Sequence, residues 1–213
     1  MKTKLQVALD FADEKKAFAV AKAVHKHSEI IEAGTPLIKN CGAKTIIKRL
    51  KTKSGKSKIF ADLKTMDTGY FEADVAIKDG ADYVTVLGVA DNGTVKGAVD
   101  AAGSSRAVVD LIGCKNTQKR IKELMKVGAR NFEVHTGIDE QNKGMTPFAN
   151  LAVASKIKGI KIWVAGGINL ETIDQIMKYS PDVVVVGGAI TKAKNPGKEA
   201  EKIKKRIILG GKK

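Results

Sequence analysis

Eight short runs of apolar and β-branched residues recur along the chain at fairly even spacing, at 5–9, 30–33, 58–61, 83–87, 107–111, 131–135, 161–165 and 183–186. Stretches with helical spacing separate several of them, at 13–25, 71–79, 117–127, 170–178 and 196–208. Runs as continuously apolar as DVVVVG or ADYVTVLG suit strands buried on both faces. Strands alternating with helices pair in parallel through right-handed crossovers, and eight such units close a barrel. The pattern therefore predicts an α/β chain folded as a (β/α)8 TIM barrel, with residues 1–213 forming one domain. A doubly wound open sheet is the rival, but it usually has fewer strands, and no GxGxxG follows the first run.

Composition agrees with one domain. A chain of 213 residues that is 43% hydrophobic can bury a single core and is short for two. Cys41 and Cys114 belong to no CxxC or Cys/His ligand pattern, so neither a disulfide framework nor a structural zinc is expected, and a reducing cytoplasm fits. No run approaches the roughly 20 apolar residues of a membrane span, so the expectation is a soluble cytoplasmic protein with no membrane partner. The formal charge of +15 would draw anions, but the lysines are scattered over the helical segments without aromatic interleaving. Solvated helix faces are the plainer reading, a nucleic-acid surface the alternative, and no nucleic-acid partner is expected.

In barrels of this type functional groups stand at the carboxyl ends of the strands. Those positions are strongly polar here: Asp10, Glu32, Asp62 and Lys64, Asp110, His135, then Gly166-Gly167 and Gly187-Gly188. The sharpest feature is Asp62-Leu-Lys64-Thr-Met-Asp67. In extended chain Asp62 and Lys64 point the same way, and the carboxylate keeps the ammonium charged. A charged lysine is no Schiff-base nucleophile; it suits stabilisation of an oxyanion or enediolate, or delivery of a proton. The plainer alternative is an ion pair closing a loop. Glu32 and Asp62 offer hard oxygen ligands from adjacent strands, a setting for Mg2+, unless both merely balance Lys64. No HExxH or three-histidine pattern points to catalytic zinc.

Two glycine pairs at the last two strand ends predict a phosphate site built from bare backbone N–H groups, against the plainer reading of tight turns. His135 is the one histidine at a strand end and could move a proton at neutral pH. His25 and His27 sit at a lysine-rich helix end and read as surface residues.

LQVALD, IIEAGTPLI, ADLKTMD, ADYVTVLGV, VVDLIG, VHTGID, VAGGI and PDVVVVGGAIT, in this order over almost the whole chain, closely resemble the 3-hexulose-6-phosphate synthase family. That family lies in the orotidine-monophosphate decarboxylase superfamily, which shares the D-x-K-x-x-D motif. The resemblance implies an aldehyde-lyase: Mg2+-dependent aldol addition of formaldehyde to D-ribulose 5-phosphate through an enediolate, and the reverse cleavage. It implies that Glu32 and Asp62 hold the metal, that Lys64 stabilises the enediolate and that His135 carries the proton. Asp10 would contact sugar hydroxyls, Asp110 would also meet substrate, and Gly166, Gly167, Gly187 and Gly188 would take the phosphate. It further implies a homodimer with shared sites, in which Asp67 reaches the neighbour's pocket. The nearest rival, 3-keto-L-gulonate-6-phosphate decarboxylase, typically has glutamate near Asp110, arginine near Ile138 and threonine near Ala165, and this chain has none of these. An arginine often found after the eighth strand is also missing, which leaves Lys192 as the nearby cation for the phosphate.

Overall fold

A computed structural model describes residues 2–211. Its strands are β1 (Lys4–Leu9), β2 (Ile30–Ala33), β3 (Lys58–Thr65), β4 (Tyr83–Leu87), β5 (Ala107–Asp110), β6 (Asn131–His135), β7 (Lys161–Ala165) and β8 (Val183–Val186). Each is parallel to the next, and β8 pairs back onto β1, so the sheet closes in sequence order. This (β/α)8 barrel sets the open-sheet rival aside, since a closed sheet has no edge strand.

The helices are α1 (Glu14–Val24), α2 (Thr35–Cys41), α3 (Ala43–Lys53), α4 (Gly69–Lys78), α5 (Asn92–Ala102), α6 (Thr117–Lys126), α7 (Ile138–Gln141), α8 (Phe148–Ala154), α9 (Ile173–Met177), α10 (Gly188–Thr191) and α11 (Pro196–Gly210). Several start where a side chain supplies an acceptor to the free N–H groups of the first turn. Asp13 caps α1, Asp91 caps α5, Asn116 caps α6, and Asn195 followed by Pro196 opens α11. Among the described residues no helix is long and apolar enough to cross a membrane.

Two apolar cores follow from the alternation of each strand. Outward positions such as Leu5, Val7, Ile31, Ile59, Val109 and Val184 pack against the helix ring. Inward positions Ile30, Phe60, Val108, Trp163 and Val183, with Tyr83 against them, form a separate cluster inside the barrel. Tyr83 stands 6.2 Å from Phe60 and 6.0 Å, edge-on, from Trp163, measured between ring centroids. This aromatic layer is the floor on which the site rests.

One strand departs from the predicted pattern. β3 runs on to Thr65 instead of stopping at 61, and its register against β4 shifts between Ala61 and Thr65. Lys64 takes a left-handed φ of 47° inside this irregular stretch. For an L-residue other than glycine that conformation costs roughly 1–2 kcal/mol, so the surroundings must hold it in place.

Candidate active site

A cavity of about 1110 Å³ opens above the aromatic floor at the carboxyl ends of the strands. Asp10, Glu32, Asp62, Lys64 and His135 line it together with Gly166, Gly167, Gly187 and Gly188. The order of the strand-end residues predicts this convergence. Asp110 lies behind the wall, fully buried, and reaches the site through its partners.

Lys64 is the centre of the arrangement. Its Nζ lies 3.0 Å from Asp62 Oδ2 and 2.8 Å from Asp110 Oδ2. Burial alone would lower the lysine's pKa, but the charges of Asp110, Asp62 and Glu133 outweigh it and hold the ammonium protonated well above the ordinary range. The expected pairing with Asp62 is present, but its origin differs from the regular extended chain anticipated. The bulge and the left-handed turn at Lys64 bring the two side chains together, and Thr85 brackets them. The Thr85 hydroxyl donates to Asp62 Oδ1 at 2.9 Å and accepts from the Lys64 backbone N–H at 2.9 Å. Thr35 contributes on the other side, its hydroxyl 2.8 Å from both the Asp62 carbonyl and Oδ2.

Asp110 also faces His135, whose Nδ1 lies 3.0 Å from Oδ2. Burial opposes ionisation of Asp110, but the hydrogen bond and charge of His135, with the charge of Lys64, hold its pKa down to about 2. An ionised carboxylate can only accept, so His135 Nδ1 carries a proton in this contact. That leaves Nε2 as the ring nitrogen able to exchange one.

Three further carboxyls crowd the same cavity. Glu32, 5% exposed, accepts from Gln6 Nε2 at 2.6 Å. Burial, then the nearby Asp62 and Asp10 carboxylates, push its pKa well up. Glu133, 4% exposed, stands two residues before His135 on the same face of β6, and burial followed by Asp110 and Glu32 raises it strongly too. Asp10 opens onto the cavity; the protein behind it and then Asp62 raise its pKa. Gly34 makes room for it, since a Cβ there would come 2.3 Å from Asp10 Oδ1. Asp110, Glu133 and His135 bring ligand atoms within 4.8 Å of one another, but Lys64 already supplies a cation to that group.

The glycine pairs lie where expected. Gly166 and Gly167 have φ of 108° and 67°, and a Cβ on Gly166 would come 2.4 Å from the Thr136 carbonyl, so the turn is closed to any side chain. Gly187 and Gly188 open α10. Lys39 and Lys192 also line the cavity.

Asp67, also predicted for the site, does not line this cavity. It is exposed on the rim after β3, and its Oδ1 accepts from Thr68 N–H at 2.7 Å. Gln6, Thr35, Thr85 and Glu133 are the residues that sequence reasoning missed.

Comparison with known proteins shows the family and the fold. The family described as "Orotidine 5'-phosphate decarboxylase / HUMPS family" matches residues 3–203. A 3-hexulose-6-phosphate synthase from Methylomonas aminofaciens is 43% identical over 201 residues, 93% of this chain and 96% of that protein. The crystal structure of 3-hexulose-6-phosphate synthase from Salmonella typhimurium superposes with a TM-score of 0.92 at 37% identity, covering 98% of this chain and 100% of that one. The crystal structure of KGPDC from Streptococcus mutans gives a TM-score of 0.87 at 26% identity over 96% and 97% of the two chains.

Proposed function

This chain belongs to the orotidine 5'-phosphate decarboxylase / HUMPS family, and from that premise we propose that it is a lyase which adds formaldehyde to D-ribulose 5-phosphate, giving D-arabino-hex-3-ulose 6-phosphate, and catalyses the reverse cleavage. The observation that carries the proposal is the Lys64 ammonium, fixed between Asp62 and Asp110 and facing the same cavity as the two glycine pairs.

The chemistry follows from these placements. A proton leaves C1 of the ketose, and the electron pair moves onto the C2 oxygen to give an enediolate. Lys64, protonated and unable to act as a base, stabilises that developing oxyanion; preorganised groups of this kind are worth several kcal/mol where water is excluded. C1 then attacks the formaldehyde carbon, and the new alkoxide takes up the proton that C1 gave, so none is gained or lost. His135, with Nδ1 committed to Asp110, carries the proton on Nε2. Asp10 binds sugar hydroxyls, and the backbones at Gly166, Gly167, Gly187 and Gly188 take the phosphate, with Lys39 and Lys192 as nearby cations.

Glu32 and Asp62 are the residues we assign to Mg2+. The fit rests on their hard oxygen donors and on the crowding of Glu32, Asp62 and Asp10, a concentration of negative charge that a divalent cation relieves. Bound there, the ion supplies Lewis acidity toward the substrate's oxygens.

We further propose a homodimer that shares its sites. Support comes from the rim around Asp67, where Met66, Tyr70 and Phe71 are exposed by 55%, 58% and 68%, with Val89 also exposed. Cys41 and Cys114 are both free thiols, in keeping with a cytoplasmic setting.

The test combines purified protein, ribulose 5-phosphate, formaldehyde and Mg2+, and follows loss of both reactants. Turnover that EDTA abolishes is expected. Absence of turnover, or CO2 release from 3-keto-L-gulonate 6-phosphate at a comparable rate, would overturn the reading. Ile138 and Ala165, two positions where the decarboxylase differs, both line the cavity, which favours the lyase.

A further inference from the structure

Behind Glu32 runs a buried polar chain whose other two members, Gln6 and Trp163, have no part in the reaction just described. Trp163 Nε1–H donates to Gln6 Oε1 at 3.2 Å, and Gln6 Nε2 donates to Glu32 Oε2 at 2.6 Å. Gln6 is fully buried and Trp163 is 2% exposed, in the middle of an otherwise apolar floor. The chain joins β7, β1 and β2 across the inside of the barrel.

The direction of each bond is forced. An indole nitrogen can only donate, and a buried one needs an acceptor. The Trp163 ring is held edge-on to Tyr83, so its N–H has a fixed aim. Gln6 must therefore turn its oxygen to Trp163, which turns its NH2 group to Glu32. Without the indole, the amide could turn its oxygen to Glu32 whenever that carboxyl carries a proton, and its NH2 group otherwise. With it, Glu32 Oε2 is engaged by the Gln6 amide while the residue lines the cavity.

We propose that Trp163 is a positioning residue for Glu32, acting through Gln6 to fix the plane of that carboxylate. The inference rests on the reading above, in which Glu32 serves the metal and the substrate oxygens. Residues that orient a metal-binding carboxylate from behind typically change metal affinity by 10–100-fold when removed.

Trp163 is the sole tryptophan of the chain, so its indole N–H gives one resolved 1H–15N cross-peak in the full-length protein. Glu32→Gln is expected to move that peak, although it leaves Trp163 and Gln6 in place. In a Gln6→Leu background the same Glu32→Gln change is expected to leave the peak where Gln6→Leu alone put it. In parallel, with Mn2+ as the probe and free ion counted by paramagnetic resonance, Trp163→Phe is expected to weaken binding about tenfold. It should weaken binding no further once Gln6 is leucine. An indole peak indifferent to Glu32→Gln, or an equal Mn2+ loss with and without Gln6, overturns the relay. If wild-type protein bound no Mn2+, the metal assignment would fall while the indole response still decided the relay. The Glu32→Gln measurement also remains decisive should Trp163→Phe fail to fold.

Discussion

Lys64 Nζ lies 2.8 Å from Asp110 Oδ2, across 46 residues of sequence, and slightly farther, at 3.0 Å, from Asp62 in its own motif. The ammonium is therefore held from two strands at once, and Asp110 divides its attention between the lysine and His135. Lys64 and His135 are coupled through this one carboxylate.

Substitution of Lys64 separates its chemical role from its conformational cost. Lys64→Ala and Lys64→Gly should both lose at least about 10²–10³ in turnover, as for other preorganised charge-stabilising groups. Because Lys64 sits at a φ of 47°, the glycine variant should be the more stable of the two by about 1 kcal/mol. Urea denaturation reads the difference, and equal stabilities would mean that the turn relaxes when the side chain is removed.

Asp110 should contribute to acid stability with a definite sign. Its folded pKa is depressed from 3.8 to about 2, so the contribution is present above about pH 4 and is lost as pH falls from 3.8 toward 2. Asp110→Asn should cost about 2 kcal/mol at neutral pH, and the gap to wild type should narrow toward pH 2. A gap that stayed constant with pH would show that packing rather than charge is responsible.

Glu133 has the opposite sign. Its raised pKa means that the protonated form favours the fold, a contribution present below the ordinary carboxyl value and lost as pH rises through the folded one. Glu133→Gln should therefore raise the melting temperature at pH 8, by about 2–4 °C for each kcal/mol relieved, with little change near pH 4. Calorimetry at the two pH values is sufficient, and a lower melting temperature at pH 8 would contradict the assignment.

Mixing two inactive variants tests the shared site. A dimer of one Lys64→Ala chain and one Asp67→Asn chain contains one site with both native groups if Asp67 acts across the interface. Random re-association should then recover about a quarter of wild-type activity. No recovery would mean that both residues serve the same chain.

Gly34 should be intolerant for a local reason. An alanine Cβ there would lie 2.3 Å from Asp10 Oδ1 and 2.9 Å from the Leu9 carbonyl, so Asp10 must move. Gly34→Ala is expected to raise KM for the sugar phosphate about tenfold or more with the circular dichroism spectrum unchanged. An unchanged KM would remove Asp10 from the binding role.

The strands are legible in the sequence because parallel barrel strands are buried on both faces, so runs such as 183–186 carry no polar interruption. β3 reads short because Asp62 and Lys64 look like loop residues, yet they belong to the strand's irregular end. α2 and α3 do not stand out as separate helices; Gly42, at a φ of 82°, divides them. The strand-end groups are found by position alone. Gln6 and Glu133 are missed because they stand deeper in their strands, although alternation with Asp10 and His135 puts each on the inward face. Thr85 and Trp163 carry no signal until the barrel closes around them. Asp67 does not line the site cavity, so the motif spacing alone points to it.

The aromatic floor has a kinetic corollary. Phe60, Tyr83 and Trp163, packed across the barrel, close the chamber on the side of its floor. On the proposed reading two reactants share the opening that remains, and a sugar phosphate held at the glycine pairs would narrow it for formaldehyde. An ordered approach of the two reactants is the expected kinetic consequence.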